Sequence, residues 1–207
     1  MKITNEDNMQ LMARYQDNHF DLAIVDPPYG IARFSNRVEI SNRLCKSAKI
    51  NQWDIKPSRE YFKELYRVSK HQIIWGANNF TLPKSEYFLI WDKKQTVDNF
   101  ASAEYAWTNC KIPAKVFRYS IHKTMSDRKS EGGKIHPTQK PIKLYEWILM
   151  NYAKEGDKIL DTHLGSGSIA IACHNLGFEL TACELDKEYY NAAMKRIEQH
   201  KLQTRIF

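Results

Sequence analysis

The sequence predicts an α/β fold built on a mostly parallel sheet, with helices on both of its faces. Short apolar runs of strand length alternate along the 207 residues with longer stretches of helical periodicity, the pattern of strands that are joined by crossover helices. Two unusual motifs directly follow two of these predicted strands. Because ligands bind at the carboxyl ends of parallel strands, we expect both motifs at one edge of the sheet.

The first 120 residues predict five strands and two helices. Apolar residues three and four positions apart after Asp7 predict the first helix. Ser58 is a suitable N-cap for the second helix, and residues 31–57 before it are polar, basic and irregular. The predicted strands cover residues 21–25, 72–75, 87–91, 104–108 and 115–119.

The last third of the chain predicts a regular alternation of helices and strands. Pro141 suits the first turn of a helix that runs to about Ala153. A strand at residues 158–161 then enters a glycine-rich turn, from which a helix starts at about Ser166 and is closed by Gly177. A strand at 179–184 and a helix over about 187–199 complete the unit.

Composition narrows the class of protein. Lys and Arg total 31 against 24 Asp and Glu, so the formal net charge is +7, a balance that permits a polyanionic partner. No apolar run approaches the roughly 20 residues of a membrane span. The four cysteines form no CxxC pair and the seven histidines show no metal-site spacing. We expect one cytoplasmic domain over residues 1–207, without a bound metal.

The glycine-rich turn, LDTHLGSGS at residues 160–168, predicts a nucleoside site. Gly165 and Gly167 permit a tight turn and a close approach of the backbone to a ligand. Glu184 ends the next strand about twenty residues on, the position of an acid that binds ribose hydroxyls. Neither a complete GxGxxG nor a GK[ST] is present. The pattern therefore favours a nucleoside without phosphates, and an ordinary glycine turn is the structural alternative.

The second motif, DPPY, stands at Asp26 to Tyr29. Neither proline can donate a backbone hydrogen bond, and a residue before proline is pushed into an extended conformation. The result is a stiff hook that offers acceptors, the Asp26 carboxylate and the Pro27 carbonyl, beside the flat face of Tyr29. Such a hook suits a planar ligand with an exocyclic amino group. The alternative is a strand stopped by a Pro-Pro turn.

Three motifs together resemble the amino-methylating DNA methyltransferases that use S-adenosylmethionine. DPPYG at 26–30 resembles their catalytic motif, and DTHLGSGS at 161–168 resembles their cofactor loop. HPTQKP at 136–141 resembles the segment that precedes their first helix. This order of motifs resembles the circularly permuted β group of the family. The resemblance implies a single Rossmann-like methyltransferase domain. The chain is short for this family, and no separate target-recognition domain is evident in it.

The resemblance also implies roles for particular residues. Asp26, Pro27, Pro28 and Tyr29 would be catalytic. Glu184 would hold the ribose of the cofactor, and Asp7 would contact the amino group of its adenine. Thr138 or Lys140 would contact the carboxylate of the cofactor. His163 stands where the family usually has phenylalanine. The full set implied around the cofactor is Asp7, Asp26, Thr138, Lys140, Asp161, His163, Gly165, Ser166, Gly167, Ser168, Glu184 and Leu185.

Two basic segments, at 31–57 and 118–143, flank these motifs and are expected to contact DNA phosphates. A solvated charged surface is the alternative interpretation of each single residue. Because no separate recognition domain is evident, we expect target recognition to come from these segments, from a homodimer or from an accessory specificity subunit, or else to be weak. The residues predicted to bind DNA are Arg33, Arg37, Arg43, Lys123, Arg128 and Lys129.

The leading hypothesis is a DNA adenine-N6 methyltransferase. An N4-cytosine enzyme would use the same chemistry, although that activity more often goes with serine in place of Asp26, and RNA is an alternative substrate. A non-catalytic nucleic acid-binding subunit is a hypothesis from another class. A dinucleotide oxidoreductase is the last, and the missing third glycine speaks against it. The sequence leaves open whether the protein serves restriction-modification, a phage or regulation.

Overall fold

The fold is an eight-stranded sheet with helices on both faces. The structure is a computed structural model, and it describes residues 1–30, 54–95, 98, 101–120, 135–136 and 138–202. The strands are β1 Lys2–Asn5, β2 Phe20–Val25, β3 Ser69–Trp75, β4 Phe88–Asp92, β5 Ala103–Thr108, β6 Lys115–Arg118, β7 Lys158–Asp161 and β8 Glu179–Glu184. The helices are α1 Asn8–Ala13, α2 Arg59–Val68, α3 Ile142–Tyr152, α4 Ser168–Leu176 and α5 Lys187–Lys201.

The sheet order is β1-β8-β7-β2-β3-β5-β4-β6, and β5 alone runs against the other seven strands. The prediction of a mostly parallel α/β sheet is therefore confirmed. Strands β2 and β7, which carry the two motifs, are direct neighbours, with Ala23 opposite Leu160. The carboxyl ends of the parallel strands and the amino end of β5 consequently lie at one edge of the sheet.

Two apolar cores flank the sheet. On one face α1 and α2 pack against residues such as Val25 and Ile74, and on the other α3, α4 and α5 cover residues such as Ile24 and Ile73. Successive strand residues point to opposite faces, so a strand buried on both sides is apolar throughout. The apolar run at residues 22–25 of β2 has this cause, whereas Asp21 of the same strand is only partly buried.

Local signals account for most helix ends, with two differences from expectation. Ser58 accepts a hydrogen bond from the Tyr61 amide and caps α2, and Gly177 closes α4 in a left-handed conformation (φ 76°). Helix α4 begins at Ser168 instead of Ser166, because Gly167 before it is left-handed (φ 73°) and cannot be the start of a helical turn. Pro141 is the N-cap of α3 instead of lying in its first turn.

Strand β1 was not predicted, because four residues with little apolar character give no strand signal on their own. It forms by parallel pairing with β8, where Ile3 lies opposite Ala182. Among the described residues, no helix combines the length and apolar character needed to cross a membrane.

Candidate active site

The DPPY hook lies directly beyond the end of β2, and its two polar side chains are bonded to each other. The Tyr29 hydroxyl donates to Asp26 Oδ1 at 2.6 Å. Burial, with the nearby Asp26 charge adding to it, raises the pKa of Tyr29 well above its ordinary value, so the hydroxyl stays protonated. The backbone N–H of Gly30 donates to Asp54 Oδ1 at 2.8 Å, which anchors the far end of the hook.

Gly76, directly after β3, makes room for the Tyr29 ring. It has φ +65°, and a Cβ built on it would lie 2.1 Å from Tyr29 Cε1. On another side the Tyr29 ring meets the edge of Phe80, with ring centroids 6.1 Å apart. The position of the aromatic face therefore depends on a glycine 47 residues away in the chain.

The HPTQKP segment delivers Lys140 to the same place. Its ammonium donates to Asp26 Oδ2 at 2.5 Å and lies 3.0 Å from Glu104 Oε2. The side chain is only 3% exposed. The prediction that Lys140 contacts the cofactor carboxylate stays a prediction, while the structure places its charge against the carboxylate of Asp26. Thr138 is exposed, and its hydroxyl lies 3.1 Å from His136 Nδ1.

The cofactor loop after β7 is organised by two carboxyl groups, of which that of Asp161 is buried and that of Glu184 half-buried. Glu184 accepts hydrogen bonds from the backbone N–H groups of Gly165 (2.8 Å) and Asp186 (3.0 Å). Asp161 accepts from the His163 N–H at 3.0 Å. Burial, with the charges of Asp26 and Glu184 adding to it, raises the pKa of Asp161 to about 8. Glu184 is also shifted upward in pKa, mainly by burial.

Two serines of the loop face the interior. Ser166 and Ser168 lie with their hydroxyl oxygens 3.1 Å apart, and the guanidinium of Arg196 in α5 donates to the Ser166 carbonyl and to the Ser168 hydroxyl. Arg196 is 3% exposed and was not predicted as a site residue. The sequence does not reveal these contacts, because an arginine on a polar helix gives no sign that its side chain is buried.

His163 is a neutral, bonded residue. Burial lowers its pKa to about 3. Its Nε2 is 3.1 Å from the Asn8 side-chain nitrogen, which donates, so Nδ1 carries the proton and donates to Thr162 Oγ1 at 2.9 Å. Thr162 in turn bonds the Tyr61 hydroxyl at 2.7 Å. His163 thus links α1, the cofactor loop and α2, a set of contacts that phenylalanine could not make.

The amino end of α1 and the end of β8 complete the rim of this region. Asp7 caps α1 by accepting at Oδ1 from the N–H groups of Met9 and Gln10. Leu185, immediately after Glu184, is 70% exposed. Glu184, which bonds the glycine turn, is therefore followed in the chain by an exposed apolar side chain.

The predicted DNA-binding residues lie outside the described part of the chain: Arg33, Arg37, Arg43, Lys123, Arg128 and Lys129. Within the described residues, no cluster of His, Cys, Asp or Glu is arranged to hold a metal ion. Cys110, Cys173 and Cys183 are buried free thiols, and burial raises the pKa of Cys173 to about 12, so it is not an activated nucleophile.

The fold and its motifs define a Rossmann-like methyltransferase class, and comparison with known proteins assigns the family. A model of the DNA methylase family, covering N6 and N4 enzymes, matches residues 83–195. The type II methyltransferase M.HpaI of Haemophilus parainfluenzae is 34% identical over 92% of this chain and 72% of its own length. M2.DpnII of Streptococcus pneumoniae is 24% identical over 96% of this chain and 90% of its own. The chain belongs to the DNA methylase family.

Solved structures agree on the fold. The M1.HpyAVI complex with S-adenosylmethionine matches with a TM-score of 0.60 at 20% identity, covering 95% of this chain and 98% of that one. The cytosine-N4-specific PvuII DNA methyltransferase matches with a TM-score of 0.63 at 13% identity, covering 99% and 87%. The solved structures thus confirm the predicted fold, and the family model and the type II relatives confirm the predicted family and DNA methyltransferase activity.

Proposed function

We propose that the protein transfers a methyl group from S-adenosylmethionine to the N6 amino group of adenine in DNA. The observation that carries this proposal is the adjacency of β2 and β7, which puts the Asp26 hook and the Gly165 turn side by side at one edge of the sheet. An amino-group acceptor and a nucleoside site are the two parts that this transfer requires. The relatives, named as type II methyltransferases, agree with it.

The residues at the cofactor region suit S-adenosylmethionine. Gly165 has φ +52°, and an added Cβ there would meet no atom closer than 3.8 Å, so the loop is open to a ligand. Glu184 retains acceptor capacity for ribose hydroxyls beyond its two backbone partners. Leu185 offers an exposed apolar contact for the cofactor's adenine. When bound, the cofactor supplies an electrophilic methyl group.

The residues of the hook act on the target base. An exocyclic amino group is a weak nucleophile, because its lone pair is delocalised into the ring. Asp26 and the Pro27 carbonyl would accept its two N–H bonds and favour a pyramidal nitrogen, an interaction that strengthens in the transition state. The target must leave the duplex to reach this half-buried hook, and the Tyr29 ring would stack against it. The positive charge that develops on nitrogen is stabilised by the Asp26 carboxylate, and a proton then leaves to solvent.

Adenine is favoured over cytosine because the acceptor is Asp26, an aspartate where N4-cytosine enzymes more often carry serine. A homodimer or an accessory subunit that supplies target recognition belongs to the same proposal. DNA contact by the two basic segments rests on their charge alone.

The test is transfer of labelled methyl from S-adenosylmethionine to unmethylated duplex DNA, followed by separation of the nucleosides. Label in N6-methyladenine is expected, and label confined to N4-methylcytosine would refute the choice of base. Asp26→Ala is expected to abolish transfer while binding of S-adenosylmethionine is retained. Full activity of that variant would refute the role of Asp26.

A further inference from the structure

Four charged side chains form a chain that starts at the catalytic carboxylate. Lys140 contacts Asp26 at 2.5 Å and Glu104 at 3.0 Å, and Lys93 contacts the other oxygen of Glu104 at 2.6 Å. Two ammonium groups and two carboxylates make the set neutral. Lys140 is 3% exposed, whereas the side chains of Lys93, Asp26 and Glu104 keep some exposure, at 15%, 16% and 22%.

Lys140 is held from several sides at once. Its ammonium lies 5.5 Å from the centre of the Trp75 ring and 5.9 Å from that of Tyr29, within the range of a cation–π contact. It also lies 3.4 Å from the Tyr29 hydroxyl. Burial opposes the charged form, but the carboxylates of Asp26 and Glu104 outweigh it and raise the pKa of Lys140 above its ordinary value. Lys140 is therefore a fixed cation and not a proton acceptor.

Glu104 determines how strongly this cation neutralises Asp26. With Glu104 present, one ammonium is shared between two carboxylates, and Asp26 keeps part of its negative charge for the amino group of the substrate. Burial opposes ionisation of Glu104, yet Lys140 and Lys93 together lower its pKa, so the charge persists. Without Glu104 the ammonium would bind Asp26 alone, and the carboxylate would be a weaker acceptor at the nitrogen where positive charge develops.

We infer that Lys140 and Glu104 are a positioning pair for Asp26, in which Lys140 fixes the orientation of the carboxylate and Glu104 offsets the Lys140 charge. This inference rests on the proposed function, since it assigns the pair a part in the same methyl transfer. It differs from the role that the sequence motif implies for Lys140, contact with the cofactor carboxylate. The two roles make different predictions about cofactor affinity.

The experiment measures the single-turnover rate of methyl transfer to duplex DNA and, separately, the Kd for S-adenosylmethionine. Glu104→Gln keeps the shape of the side chain and removes its charge. Its rate is expected to fall about 10- to 100-fold, the size of effect seen when a reacting group loses its alignment or its electrostatic support. Its Kd is expected to stay at the wild-type value, and its melting temperature is expected to fall because the buried set is no longer neutral.

A double variant tests whether Glu104 acts through Lys140. If it does, Lys140→Met/Glu104→Gln will be no slower than Lys140→Met alone, because the second change has nothing left to act on. Glu146→Gln is the matched control: Glu146 is a buried carboxylate paired with Lys143 at 2.7 Å, in a pair that does not include Asp26. This variant is expected to transfer methyl at the wild-type rate.

Two results would overturn the positioning pair. One is a Glu104→Gln enzyme with the wild-type rate, and the other is a Lys140→Met enzyme whose whole loss is explained by weaker binding of S-adenosylmethionine. If the label appears in cytosine instead of adenine, only the choice of target base in the proposed function is refuted. The rates of the variants can then still be compared with the wild-type rate, so the positioning pair is still tested. A wild-type protein that methylates no base would refute both proposals.

Discussion

The dependence of the Tyr29 ring on Gly76 yields a prediction that can be worked out from distances. In Gly76→Ala the new Cβ would lie 2.1 Å from Tyr29 Cε1, 2.3 Å from Cζ and 2.6 Å from Cδ1. Ordinary contact begins at about 3.4 Å, so the ring must move by more than about 1 Å. That movement would strain or break the 2.6 Å hydrogen bond from Tyr29 to Asp26.

Two costs follow from the Gly76→Ala change. Alanine in a left-handed conformation costs about 1–2 kcal/mol of stability, and a misplacement of about 1 Å at a catalytic site reduces rate about 100-fold. We therefore expect a melting temperature lower by several degrees and a far larger loss in the rate of methyl transfer. Affinity for S-adenosylmethionine, measured by equilibrium binding, should stay near the wild-type value.

Gly156→Ala is the matched control for this prediction. Gly156 has φ +85°, but a Cβ there would meet nothing within 4 Å. The control therefore carries the same kind of backbone penalty without the collision, and it should lose stability but keep its rate. Equal rates in Gly76→Ala and Gly156→Ala would refute the reasoning that Gly76 positions the aromatic face.

Two further predictions concern the cofactor loop. His163→Phe introduces the residue usual in the family but leaves the Asn8 amide and the Thr162 hydroxyl without their His163 partner. The free energy of unfolding, measured by thermal or denaturant unfolding, should therefore fall by about 1–3 kcal/mol. A more stable variant would contradict the bonded role of the imidazole. Asp161 has a pKa raised from 3.8 to about 8, so between these values the folded state binds more protons than the unfolded state and its contribution to stability declines as pH rises. Asp161→Asn should flatten the decline in stability between about pH 4 and 8, measured by denaturant titration, and an unchanged pH profile would contradict the raised pKa.

Methyl transfer by this site is expected to depend on electrostatic arrangement more than on proton transfer. The group nearest to Asp26 is a buried ammonium that stays charged, and the phenol beside it stays protonated. Neither is suited to remove a proton at neutral pH. The proposed roles of Tyr29 and Lys140 are accordingly those of orientation and charge.

The sequence by itself determined the fold class, the family and the main motifs. Strands such as β7 and β8 were predicted with the bounds that the structure has, because strong apolar runs ended by turn residues leave few alternatives. The hook at 26–29 and the glycine turn at 165–167 are local features, since proline and glycine restrict or free the backbone at their own positions. Their convergence followed from the parallel topology alone.

Only the tertiary structure revealed Glu104, Gly76 and Arg196 as parts of the site. Glu104 reaches the edge of the sheet that carries Asp26 because β5 runs antiparallel, so that its beginning lies where the other strands end. Gly76 leaves room for the ring of Tyr29, 47 residues away in the chain. Arg196 bonds the carbonyl of Ser166, in a loop about thirty residues before it. Such pairings depend on strand direction and side-chain packing between distant segments, and neither composition nor local periodicity carries that information.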